Sequence, residues 1–284
     1  MSRNKERTGA QNIDAGPPPQ VLQDATTEGF SFVVPTEFVE LPSQGKYYAE
    51  GHPLHGADSI EVRQMTAKEE DILTSKTLLK KGVALDRVIQ SIIVNKRIDP
   101  DSLLVGDRNA IVIACRVSGY GSEYTTQVTC PACEERQQYS FDLNAAEIFN
   151  GEDLDDAGVV DNENGTFDVE LPRTKVTVTF RLLTGTDEKV LLAGMEKDRK
   201  SKTHEKAVTR QLINTVAAVN GDSSAQALNY LVANIPSVDS RHIRMAYRVA
   251  APNIDLTQNF TCNSCDHEQD MEVPLTADFF WPNT

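Results

Sequence analysis

The chain has 284 residues, 39% apolar and 25% charged, and a formal net charge of −14. That length allows a sizeable core in one or two domains, while the acidic balance argues against a general polyanion-binding surface, which needs clustered Lys and Arg. No apolar run approaches the roughly 18–20 residues that span a bilayer. The opening Met1–Arg7 has no signal-peptide apolar core, so a reducing cytoplasm is expected.

Residues 1–28 are polar and carry Gly16-Pro17-Pro18-Pro19. A disordered tail is expected over residues 1–35, although Phe30 to Val34 is apolar and β-prone. The first half then runs over residues 36–150. Phe38 to Tyr48 is extended and broken by turn residues, and Ile60 to Met65 alternates like a strand. Thr66-Ala67-Lys68-Glu69 is a capping box that opens a helix to about Ser75. Ala84 to Asn95 places Leu85, Val88, Ile89, Ile92 and Ile93 on one helical face. Asp107 reads as the N-cap of a helix to about Val117, and residues 144–150 read as one or two helical turns.

Residues 151–165 carry Glu152, Asp153, Asp155, Asp156, Asp161 and Glu163, with no Lys or Arg between Arg136 and Arg173. An EF-hand loop is out of register there. A solvated acidic linker closed by an Asn164-Gly165 turn is expected. The second half, residues 166–284, opens with two alternating runs, Phe167 to Leu171 and Val176 to Phe180. Helices are predicted over 184–199, 204–219 and 225–232, and Asp239 is predicted to cap a last one to about Val249.

Each half contains one Cys-x-x-Cys turn between alternating stretches: Cys130 and Cys133, then Cys262 and Cys265. Val128, Gln137, Phe141 and Leu143 recur as Phe260, Gln269, Val273 and Leu275, at an offset of 132 residues. A further match aligns Arg63, Thr66, Glu69 and Leu73 with Arg181, Thr184, Asp187 and Leu191, at an offset of 118. A third aligns Asp107 and Arg116 with Asp239 and Arg248, again at 132. Three matches in one order predict an internal duplication. Each turn offers two thiolates, so the four cysteines together predict one closed tetrahedral Zn2+ site of structural type. Cys115 reads as a small core residue, and His267 as a surface residue.

No P-loop, nucleophile elbow, His-Glu-x-x-His or dinucleotide fingerprint occurs, so no catalytic or cofactor-binding residues are expected and the chain reads as a non-enzyme. Two competing readings remain. A zinc-ribbon nucleic-acid module is supported by Arg136 and opposed by the charge. A dithiol oxidoreductase is opposed by the turns' position between strands, away from any helix N-terminus. The closing Phe279-Phe280-Trp281 reads either as a docking run or as a tail folded onto the second turn.

Several stretches also carry a resemblance: Glu40 to Tyr48, Met65 to Leu73, Leu103 to Arg108, Asp239 to Arg241 and Phe279 to Pro282. In that order the chain, over roughly residues 37–284, resembles the baseplate hub and hub-assembly proteins of T-even-type contractile-tailed bacteriophages. The resemblance implies a virion or assembly protein made in the host bacterial cytoplasm and destined for the tail baseplate. Its implied partners are other baseplate and hub subunits, with oligomerisation inside the baseplate, and it supplies no enzymatic activity. The fold expected overall is α+β: two duplicated halves, each of strand, helices and Cys-x-x-Cys hairpin, joined by a zinc-ribbon-like site.

Overall fold

Alternating apolar residues drive this chain into short antiparallel pairs, and helices close over them. The computed structural model describes residues 21–23, 33–80, 82–151, 154–201, 206–275 and 277–280. The first sheet has the order β1 (Val21–Gln23), β2 (Val33–Glu40) and β3 (Ser59–Arg63). In β3 the inward positions Ile60 and Val62 are buried and their neighbours are not. The capping box then starts α1 (Ala67–Thr74), followed by α2 (Lys76–Lys80) and α3 (Ala84–Ile92). The apolar stripe of α3 buries Val88, Ile89 and Ile92, and Ile93 bridges antiparallel to Val62. A 3-10 turn at Pro100–Ser102 leads into α4 (Val105–Tyr120), the most buried helix of this half. The hairpin β4 (Glu123–Thr129) and β5 (Arg136–Asp142) follows, then β6 (Glu147–Phe149).

The second sheet has the order β10-β9-β8-β7, formed by β7 (Val159–Asp161), β8 (Thr166–Glu170), β9 (Thr177–Arg181) and β10 (Val216–Val219). Between β9 and β10 run α5 (Gly185–Ser201) and α6 (Ala207–Thr215). After β10 come α7 (Ala225–Asn234) and α8 (Ser237–Ala250), then β11 (Asn253–Asp255) and the hairpin β12 (Thr257–Thr261) and β13 (Glu268–Glu272). The buried apolar side chains of both sheets and both hairpins form one contiguous cluster. The chain's two ends of that cluster are also joined by backbone. β6 pairs with β11, and Leu104 bridges to Thr184, with Val105 N donating to Leu183 O and Gly185 N to Leu103 O.

Five expectations need correction. Within the segment taken as a disordered tail, β1 pairs with Val33–Pro35, while residues 1–20 and 24–32 lie outside the described residues. The helical turns expected over 144–150 shrink to a 3-10 turn at Leu143–Ala145, and residues 147–149 become β6 because their pairing partner lies about a hundred residues on. The acidic segment 151–165 contributes β7 to the second sheet, so it is more than a linker; its turn at Asn164-Gly165 does join β7 to β8. The helix predicted to Val219 stops at Thr215, because Val216 gains a place beside Phe180 on the sheet edge. Finally, Asp107 and Asp239 are not N-caps. Leu104 and Pro236 hold those positions, and each aspartate is the third residue inside its helix.

Candidate metal centre

The hairpins set the geometry. β4 and β5 pair in register from Glu123↔Asp142 to Thr129↔Arg136, which puts Cys130 where the ladder ends. Cys130 N then donates to Glu135 O, and Glu134 N donates back to Cys130 O, both at 2.9 Å. The turn needs a left-handed residue, and Glu134 supplies it at φ 60. The second hairpin repeats this design. Cys262 N donates to His267 O, Asp266 N donates to Cys262 O, and Asp266 stands at φ 53. Such a turn aims two sulfurs at one point, with the first buried and the second exposed. Cys130 and Cys262 are buried, Cys133 and Cys265 exposed.

The two points coincide. Cys130 Sγ lies 3.8 Å from Cys265 Sγ, and Cys133 Sγ lies 3.7 Å from Cys262 Sγ. All four sulfurs lie within 4.8 Å of one another, so the set could hold a metal ion. Without a cation the crowded thiols do not ionise alike. Burial raises the Cys130 pKa, but the backbone N–H groups of Cys133 and Ala132 and two neighbouring thiols bring it down to about 7. At Cys265 the His267 N–H lowers the pKa, yet the crowding thiols and burial carry it up to about 12. Four thiolates this close repel one another, and only a cation lets all four ionise.

Polar contacts join the hairpins beside the sulfurs. Gln137 Nε2 donates to Thr261 O at 3.3 Å, and its Oε1 accepts from Asn263 N at 2.9 Å. Tyr139 OH donates to Asn259 O at 3.1 Å, and Gln258 exchanges hydrogen bonds with the Asp142 backbone. The Tyr139 and Phe260 rings meet at 5.0 Å. Alternation singled out Gln137 and Tyr139 as hairpin positions, but nothing local shows that they face a second hairpin. His267 does not join the sulfurs; its ring lies 3.5 Å from Gln269. Cys115 is buried in α4, with its thiol pushed up to about 12 by burial.

Two further polar clusters occur once in each half. Arg63 forks onto Glu69 at 2.6 and 3.1 Å, and Thr66 N and Oγ1 donate to the same carboxylate. Arg181 forks onto Asp187 at 2.6 and 2.8 Å, and Thr184 N and Oγ1 donate to it likewise. Asp107 accepts from Ser43 N, Ser43 Oγ and Tyr48 OH, all from the loop after β2. Asp239 accepts from Arg173 N and Thr174 N, from the loop after β8. Two of the closing aromatics are covered by the chain itself. Phe279 and Phe280 are buried, and Phe279 packs on Tyr124 of the first hairpin, not on the second turn. Arg116, fully buried and with no carboxylate partner among the described residues, donates to Phe279 O, Gly121 O and Glu123 O. Trp281 lies outside the described residues.

A family model described as T4 bacteriophage base plate protein matches residues 34–281. The chain belongs to that family. It is a baseplate protein of the T4 type, and membership makes it a structural component of a phage tail. No curated protein and no solved structure matches it. Among the described residues no helix of this baseplate protein is long and apolar enough to cross a membrane.

Proposed function

We propose that this baseplate protein belongs to the hub region, as a structural subunit or its assembly factor, and docks other subunits on a scaffold stapled by one zinc ion. The observation that carries the staple is the sulfur geometry. A tetrahedral site with Zn–S of about 2.3 Å has edges of about 3.8 Å. Two inter-hairpin pairs stand at 3.8 and 3.7 Å. Cys130, Cys133, Cys262 and Cys265 would be the ligands, leaving no open position for chemistry. Zinc would then tie residues 36–150 to residues 166–284, the two halves of a duplication. The paired Arg–carboxylate forks and the paired loop-to-helix aspartates support that division.

A nucleic-acid role for the hairpin tips is disfavoured by what surrounds the sulfurs: Glu134, Glu135, Asp266 and Glu268 are all exposed there. The decisive experiment is metal analysis of protein purified without added metal, combined with Cys130→Ser in the phage. About one zinc per chain is expected, lost in the variant together with assembled baseplates. A metal-free wild type would overturn the staple. Normal baseplates from a metal-free variant would separate the staple from assembly.

A further inference from the structure

We infer that the outer face of α8, with the groove beside it, docks an acidic amphipathic segment of another protein subunit. The inference rests on the docking role proposed above and names its site and the partner's chemistry. The chain is strongly acidic, yet Arg241, Arg244 and Arg248 fall at helical spacings of three and four residues, on one exposed stripe. Val238 and Met245 lie on the same stripe, 63% and 51% exposed. Among the described residues, no hydrogen bond or close ion pair holds any of these three guanidiniums, although the Arg248 charge reaches Asp255 and helps to lower its pKa.

The groove alongside has a volume of about 660 Å³. Arg244, Met245 and Arg248 form its α8 side, and Phe149 and Ile254 line it from the β6–β11 pair. Asp255 and Glu272 also line it, from β11 and β13. Nucleic acid would want positive charge on both walls. A helix with carboxylates along one edge and an apolar underside fits this polarised groove better, since charge complementarity sets orientation and apolar contact supplies affinity.

The first half shows the same face covered. Asn109, Val112, Ile113 and Arg116 stand 132 residues before Arg241, Arg244, Met245 and Arg248. Val112, Ile113 and Arg116 are buried, and Asn109 bonds to Asn253 at 3.0 Å. In α4 the chain itself fills the surface that α8 leaves open.

The test places p-benzoylphenylalanine in place of Met245 in the full chain and irradiates infected cells during assembly. The expected product is a crosslink to a peptide of a different phage protein, with Asp or Glu at spacings of three or four. In an Arg241→Gln, Arg244→Gln, Arg248→Gln background its yield should fall by roughly tenfold or more. Zinc content and melting temperature should stay unchanged in that background. No crosslink, a crosslink to a second copy of this chain or to nucleic acid, or a yield indifferent to the arginines would overturn the inference. Absence of the crosslink from the chain that keeps its three arginines, while baseplates still form, would remove the groove alone; absence of zinc would remove only the staple.

Discussion

Glu69 is a carboxylate with no exposure, and its surroundings decide its charge. Burial alone would raise its pKa, but the Arg63 fork, Ser91 Oγ and the Thr66 N–H and hydroxyl together bring it down to about 2. The folded-state pKa is therefore below the unfolded value. Ionised Glu69 stabilises the fold above about pH 4.5, and that contribution is lost as the pH falls toward 2. Replacing Glu69→Gln should cost about 2–3 kcal/mol at pH 7 and flatten the acid limb of stability. Urea midpoints taken from pH 7 to pH 3 for both proteins will show whether the difference shrinks with acid. Asp187 in the second half is lowered too: burial works to raise its pKa, and the Arg181 fork with the Thr184 N–H and hydroxyl outweighs it. A constant difference across pH would mean that the Arg63 pair does not govern the acid limb.

Helix α4 packs closely against the backbone of the second half. A Cβ on Gly106 would stand 1.9 Å from Pro252 O and 2.9 Å from the Asn253 Cα. Only glycine lets the first turn of α4 lie against the backbone leading into β11. The matching position 132 residues on is Val238, exposed on α8. Gly106→Ala should therefore cost more than about 2 kcal/mol, despite the better helix propensity of alanine. Val238→Ala should change stability by less than about 0.5 kcal/mol. Thermal melts of both variants check this, and equal melting temperatures would sink the close approach. Much at this scale was legible in the sequence. The capping box at Thr66 and Glu69, the stripe of α3 and the alternation of β8 and β9 are local signals, and each marks its element. β6 and β10 were not legible, because such short strands depend on a distant edge, and β7, which pairs with the next strand, is only three residues long beside an acidic stretch. The two aspartates misled for a related reason. Their spacing before a helix suits an N-cap, but the carboxylates turn sideways to satisfy the loops after β2 and β8.

At the scale of the molecule, four sulfurs meet where side chains join two hairpins. Chelation is expected to release the sulfurs without dissolving the Gln137, Tyr139 and Gln258 contacts at once. An alkylating probe should then label up to four thiols, Cys130, Cys133, Cys262 and Cys265, while Cys115 stays protected by burial. Mass spectrometry of the labelled chain with and without chelator tests this. Rapid labelling before chelation would mean that no metal guards the site. Ligand type and spacing made these four residues visible in the sequence, because a Cys-x-x-Cys turn is a local feature. The aromatic ending was not readable in the same way. Whether Phe279 was exposed or covered depended on Arg116, a residue whose role no spacing announces.

Arg116 also has a consequence in time. Its partner carbonyl at Phe279 lies 163 residues further along the chain, and Cys262 lies 129 residues beyond Cys133. At about 5–20 residues per second, a ribosome delivers those partners many seconds after the first hairpin has emerged. Until then a nascent first half carries two unmatched thiols and a guanidinium with one of its three carbonyls missing. The first hairpin can pair within itself, but translation must reach the last hairpin before the two can meet. A chain stopped before Phe279 would leave Arg116 on α4 without that carbonyl, so α4 is expected to be more open to proteases in a truncated copy than in a finished one.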